Sequence, residues 1–477
     1  MVGRNLRQPT PHRFDRTIVD GPLLPAVWKL AWPTMLQNAI AGLQGIVDHT
    51  LVGHFVGYQA NAAIGVSWQI LLVLITFMSA LFTGTAVLVA RFAGAGDAER
   101  VNRVVYQAFL TSLLLWALVM APAGYLLSPR LLAIVHAEPA VVREALPFLR
   151  TMFLGNLGLL LFFMLGAAFR AAGDARTPLR LGILLTILNI AANVVLIRGL
   201  GPIPAFGTQG AALGTTMASM LVAAYGLSLF VRGTNVIRWS PSMPRRFDWP
   251  TVKTLFSFGL PAGFQGIAMN VAGVMLLRFI GSLQHSAEAQ AAYAVGYGEL
   301  FALITWTSVG LMGATATVVG QNLGAGRPDR SLLGPRLASR IGLILALAVG
   351  LMFLVMPRIL FAFFGLTDAT VVGIGSQLLR YLTVSGLFVT VALTYTGALQ
   401  GSGDTRSPLV ISVISQIVVP LGLCALIQAL RPLEPADIWR AIVLGHVTRA
   451  TLSVLRFNQG RWRSIAIPLE AKPEGRD

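Results

Sequence analysis

Leu23–Val56 reads LLPAVWKLAWPTMLQNAIAGLQGIVDHTLVGHFV. It is apolar enough to enter a bilayer, yet it carries a carboxylate, Asp48, well inside its length. An acid at the centre of a membrane helix costs about 2.5–3.5 kcal/mol on insertion scales, so such residues mark function by default. By helical rise Asp48 lies about 28 Å from Lys29, in the outer half of the span, where the bland alternative is an acid that simply reaches water. Pro33 lies fifteen residues before it and removes one helical hydrogen bond, which makes it the candidate hinge.

Comparable apolar stretches recur along the chain at about the 20-residue length that crosses hydrocarbon. They fall at 23–56, 60–92, 104–127, 147–171, 178–198, 208–231, 252–280, 290–321, 337–357, 375–400, 408–430 and 438–455. Of the 477 residues, 55% are hydrophobic and 12% charged, against about 25% charged in soluble domains. The net charge of +17 would suggest nucleic acid in a soluble protein. Here the basic residues sit in short loops between apolar runs, so they orient spans and meet anionic lipid instead. Arg91, Arg100 and Arg103, then Arg170, Arg176 and Arg180, then Arg327, Arg330, Arg336 and Arg340 all fall on one side, with Arg4, Arg7, Arg13 and Arg16 of the N-terminal tail. Gly53–Gln59, on the other side, has no Lys or Arg. A multi-pass plasma-membrane protein, a bacterial inner-membrane one if prokaryotic, with both termini cytoplasmic is expected. One cysteine, Cys424, excludes an internal disulfide framework, and no Cys/His cluster has metal-ligand spacing.

The chain repeats itself. Arg170-Ala-Ala-Gly-Asp-Ala-Arg-Thr-Pro-Leu179 returns 230 positions later as Gln400-Gly-Ser-Gly-Asp-Thr-Arg-Ser-Pro-Leu409. Gly94-Ala-Gly96 returns as Gly324-Ala-Gly326 at the same offset, while Pro33 and Gln37 return as Pro261 and Gln265 at 228. Several matches at nearly one offset indicate duplication. Six spans per half leave both halves the same way round, so a pseudo-two-fold axis along the membrane normal relates them. The expected architecture is an all-α integral membrane protein of twelve transmembrane helices in two six-helix lobes. Its expected parts are a tail at 1–22, lobes at 23–231 and 252–455, a linker at 232–251 and a second tail at 456–477.

The repeat also acts as an internal control, because Asp48 aligns with Leu276 and so is no part of the shared scaffold. Asn189 and Asn193, at i and i+4, share a helix face that suits a carboxylate or a dehydrated cation, or plain interhelical bonding. Glu299 is the acid inside a second-lobe span, with Arg278 as its candidate counter-ion at similar depth. His446 and Arg449, one turn apart, suit a poorly buried helix or a lipid-facing snorkel. Gln37, Gln44, Met269, Glu299 and Trp306 are the candidate lining of a substrate cavity. The glycine-rich Gly94–Asp97 and Gly401–Asp404 complete no Walker or dinucleotide pattern, so they are read as tight turns. Without an ATP-binding motif, uphill transport would draw on an ion gradient, H⁺ or Na⁺. No enzyme active site and no other cofactor is expected.

The Pro33 to Gly53 segment, Val319-Gly-Gln-Asn-Leu-Gly-Ala-Gly326 and the paired Gly-Asp-x-Arg-x-Pro turns resemble the multidrug and toxic compound extrusion (MATE) family. The resemblance covers about residues 23–455. It implies two six-helix lobes in a V that export amphipathic, often cationic compounds against H⁺ or Na⁺. By motif, Asp48 matches the family's first-helix acid, the proposed coupling-ion site. Asn189 matches the fifth-helix asparagine and Thr215 a sixth-helix threonine near it. Asn193 stands where some relatives carry a second acid, and Met269 where another branch carries an acid in the seventh helix. The chain therefore looks closer to the DinF-like branch, often assigned to proton coupling. The alternatives are Na⁺ coupling through Asp48, Asn189 and Asn193, or flipping of a lipid-linked precursor. The expected partners are small amphipathic substrates and lipid, without nucleic acid, for a monomeric chain.

Overall fold

The computed structural model describes residues 14–135, 138–233, 236–238 and 246–469. Arg4, Arg7 and Arg13 of the basic tail, and Arg245 in the linker, lie outside the described residues. Twelve helical rods follow one another, six on each side of the 233–248 segment. They are α1 (Leu23–Phe55), α2 (Tyr58–Gly94), α3 (Ala98–Ile134), α4 (Pro139–Gly155 with Leu157–Ala171), α5 (Arg176–Arg198) and α6 (Gly207–Arg232). The second set is α7 (Trp249–Gly281), α8 (Ser286–Gly324), α9 (Pro328–Val355), α10 (Ala369–Ser402), α11 (Arg406–Leu430) and α12 (Pro435–Asn458). Among the described residues, eight helices are long and apolar enough to cross a membrane, or nine when the two parts of α4 count as one span. With eight or nine such helices, the chain is a multi-pass membrane protein.

The apolar stretches of the sequence mark hydrocarbon rather than helix, and several helices run beyond them. The fourth departs further, because α4 breaks at Asn156 and bends by 49°. Gly155 and Gly158 flank the break, and a Cβ on either would meet Thr216 or the Met220 backbone of α6 at 2.0 and 2.4 Å. That close approach fixes the second part of α4 against α6. Three rods contain a π-helical turn, at Trp116–Met120, Ala294–Leu300 and Ile414–Val418. Such turns often occur at functional sites.

The duplicated turns are built alike. Gly173 and Gly403 take positive φ values of 100° and 95°, which glycine adopts without a Cβ clash. The next residue then serves the helix that follows: Asp174 accepts from the Arg176 and Thr177 amides, and Asp404 from the Ser407 amide and hydroxyl. Both turns are helix starts.

The pseudo-symmetry is visible where the lobes cross. A Cβ on Gly94 would lie 1.9 Å from the Gln321 carbonyl oxygen, and one on Gly324 would lie 1.9 Å from that of Arg91. The two contacts exchange under the 230-residue offset. The repeated Gly-Ala-Gly is thus a backbone-to-backbone crossing of α2 and α8. Gly84 and Gly259 bring α2 equally close to α7, at Leu255 and Ala80.

The tails cross over. The short turn Thr17–Asp20 lies on the second lobe, with Asp20 paired to Arg327 at 2.9 Å and the Ile18 carbonyl accepting from Asn322. At the other end the Ile465 and Leu469 carbonyls accept from Arg91 and Arg100 of the first lobe.

Gly324→Ala drives a methyl group into the α2 backbone and should cost about 1–3 kcal/mol. Gly313→Ala meets open space in the same helix, so there the better helix propensity of Ala should leave stability unchanged or higher. Thermal unfolding in detergent should show a lower Tm for Gly324→Ala alone; equal Tm values would contradict the crossing.

Candidate functional site: a carboxylate on an amide chain

Asp48 projects from the C-terminal part of α1 and is half-buried. The Asn193 side-chain amide of α5 donates to its Oδ1 at 2.8 Å. The same Asn193 Nδ2 lies 3.2 Å from Asn189 Oδ1, one turn earlier on α5. Asn189 in turn donates to Thr215 Oγ1 on α6 at 2.9 Å, and Thr215 closes the chain on the Ala211 carbonyl at 3.0 Å. Four polar side chains on three helices thus form one directed chain that ends on the carboxylate.

The local sequence makes this possible. The i, i+4 spacing stacks both amides on the inner face of α5, where both are fully buried. Gly214 makes room for them, since a Cβ there would sit 2.0 Å from Asn193 Oδ1. Among the described residues that oxygen has no hydrogen-bond partner, although it is buried. Buried oxygens without a partner are few in native proteins, so this one calls for a cause. No group of three or more His, Cys, Asp or Glu residues able to hold a metal occurs among the described residues.

A cavity of about 290 Å³ opens beside the chain inside the first lobe. Asp48, Thr215, Gln37, Gln44 and Thr186 supply its polar wall, and Trp68, Leu159, Phe162 and Phe163 are part of its apolar one. Gln44 Oε1 accepts from Thr186 at 2.7 Å, and Gln37 lies 3.4 Å from the Arg170 guanidinium. Apolar walls with a few convergent polar groups suit an amphipathic ligand.

The other candidate residues sit elsewhere. Trp306 packs its ring over Gly42 of α1, and its carbonyl accepts from Asn38, so it joins the lobes without lining this cavity. Met269 is half-buried on α7, and neither it nor Glu299 borders the cavity. Glu299 is exposed on the π-helical turn of α8 and forms no ion pair with Arg278, which is itself exposed. Both side chains are exposed, so neither needs the other as a buried counter-ion. Pro33 is carried inside an unbroken α1, as Pro261 is inside α7.

His446 and Arg449 reverse the expectation of a lipid-facing helix, being 3% and 4% exposed. Their helix does meet its surroundings poorly by hydropathy, but it does so by turning both bases inward. A second cavity of about 180 Å³ lies between the lobes, lined in part by Phe82, Arg170, Met312, Thr317 and Gln400. Sequence reasoning missed it, although Arg170 and Gln400 are equivalents at the 230-residue offset.

Thr215→Val keeps the volume of the side chain but strands the buried Asn189 N–H. A loss of about 1–3 kcal/mol, read as a lower Tm, is expected. An unchanged Tm would mean that the chain from Thr215 to Asp48 is not formed.

The MatE family matches residues 33–195 and 261–426, which include both copies of the repeat. The chain is 29% identical over 453 residues to "Probable multidrug resistance protein NorM" of Deinococcus radiodurans, covering 92% of this chain and 96% of the relative. It is 27% identical over 446 residues to the protein of the same name from Thermotoga maritima, covering 92% and 93%. Among solved structures, an outward-facing MATE-family transporter superposes with a TM-score of 0.87 at 20% identity, covering 96% of this chain and all of that one. The chain belongs to the MatE family of membrane transporters.

Proposed function

We propose that the protein is a secondary active exporter of amphipathic, often cationic compounds, exchanging them for protons at Asp48. One observation carries this reading. A carboxylate inside a membrane span stands at the rim of an apolar cavity, held from behind by the Asn193 amide. The names of the relatives, multidrug resistance proteins, support the substrate class.

Ionised Asp48 offers the cavity a negative charge that favours a cationic guest. Protonation removes that attraction and leaves the guest with apolar contacts only. The two protonation states therefore differ in affinity, and only such a difference shifts a conformational equilibrium. Asn193 donates to the carboxylate in one state and keeps its place on α5 through Asn189 in the other. The substrate meets Asp48 from the cavity side. In this reading the protein is a monomer in the plasma membrane with both termini in the cytoplasm, surrounded by lipid. The proton is its coupling ion.

Sodium coupling is the second reading, favoured by the unpartnered Asn193 Oδ1. Asp48, Asn189 and Thr215 supply further oxygens to the same hydrogen-bonded chain, and a hard cation takes oxygen ligands.

Proteoliposomes holding a fluorescent organic cation and given either a pH gradient or a Na⁺ gradient distinguish the two readings. Proton exchange predicts export on the pH gradient alone, abolished in Asp48→Asn. Export by Asp48→Asn at the wild-type rate would overturn the role of Asp48, and export on Na⁺ alone would replace the ion.

A further inference from the structure

The second lobe buries a cation that nothing neutralises. Arg449 on α12 is 4% exposed, and among the described residues it makes no hydrogen bond and no ion pair. It lies about 21 Å along a 24-residue helix, and His446 lies about 16 Å along it, so both sit at mid-membrane depth. Among the described residues His446 Nδ1 is also buried without a partner, as are Trp439 Nε1 and Ser453 Oγ on the same helix and Ser415 Oγ on the π-helical turn of α11 facing it. Native proteins leave few such groups, and each one calls for a cause.

The rings around them form a file. Trp439 stacks on Tyr293 with centroids 6.1 Å apart and planes 4° from parallel, and Tyr293 stacks on Tyr297 at 5.0 Å and 9°. Tyr297 continues to Phe301 at 5.3 Å, and Phe301 to His446 at 5.9 Å. Tyr297 is half-buried and belongs to the π-helical turn of α8, whose Gly298 and Glu299 are exposed. Trp439, Tyr293, Phe301 and His446 are buried, so the file meets its surroundings at Tyr297 and runs inward from there to the bases.

We propose that the second lobe holds an anion-binding site in which Arg449 and His446 take the acidic group of a flat aromatic compound whose ring meets the aromatic file. A guanidinium offers a planar fork of donors matched to carboxylate, sulfonate or phosphate oxygens. An unpaired charge in a low-dielectric interior costs several kcal/mol, which a bound anion would offset. The first lobe thus presents an acid and the second a base, so zwitterionic and acidic guests have a place beside cationic ones. The inference rests on the export reading only for the route the ligand takes, so a binding measurement tests it even if export fails.

The test is equilibrium binding of 2-naphthoate to the full chain in an uncharged detergent, by isothermal titration calorimetry. Wild type should bind, and Arg449→Met should weaken binding by at least about tenfold, the value of one charge-assisted bond. His446→Phe keeps the file and should lose less, and Arg449→Lys should recover part of the loss. 2-Naphthylmethylammonium, with the opposite charge, should show no dependence on Arg449. Absence of naphthoate binding to wild type, or equal binding by Arg449→Met, would overturn the site. So would a much lower Tm for Arg449→Met, because it would make Arg449 a structural cation. In phosphatidylcholine nanodiscs, displacement of naphthoate by added phosphatidylglycerol would make a lipid headgroup the resident anion. Without displacement, the free aromatic acid is the ligand.

Discussion

A polar group in hydrocarbon finds its partner inside the protein or not at all, and this constraint shapes the molecule more than any other. It explains why Asp48 does not stand alone. The carboxylate is met by Asn193, which is steadied by Asn189, which is steadied by Thr215, which returns to the α6 backbone. Gly214 supplies the space for Asn193 where α6 meets α5. The chain commits α1, α5 and α6 to one another on the side where the lobe also keeps its cavity.

The same constraint is met differently between the lobes, where backbone replaces side chain. Paired glycines let α2 and α8 approach until each lies against the other's carbonyls. Close packing of small residues supplies the dispersion contacts that water cannot drive in lipid. The exchanged tails add polar contacts at the basic ends, with Asp20 on Arg327 and Arg91 on the Ile465 carbonyl. Any motion that parts the lobes at this end has to break both the crossing and the exchange. The scaffold is symmetric there, whereas the charges that give it chemistry are not, with Asp48 in one lobe and Arg449 in the other.

Much of this was legible in the sequence because duplication leaves the same residues at one offset. Gly94 and Gly324, or Asp174 and Asp404, announce matching geometry before any coordinate is known. Asp48, Asn189, Asn193 and Thr215 were also legible as a group, since helical spacing and the family resemblance pointed to the same face. What failed was orientation about a helix axis. His446 and Arg449 looked like residues at a wet or lipid-facing surface, because charge in a weak span usually is. A hydropathy pattern records how much polarity a span carries, not which way it turns. Glu299, read as an acid within a span with Arg278 as its counter-ion, is instead exposed on a π-helical turn without that ion pair. The bend at Asn156 was hidden for a similar reason, since it depends on how closely α6 approaches Gly155 and Gly158.

The central claim is that Asp48 carries either a proton or the attraction for a cationic guest, but not both. Proton release on ligand binding tests it most directly, with a pH indicator in weakly buffered detergent and an organic cation added to the purified protein. The account predicts that wild type releases a proton as the cation binds and that Asp48→Asn releases none. Binding without proton release in wild type, or the same release from Asp48→Asn, would contradict it.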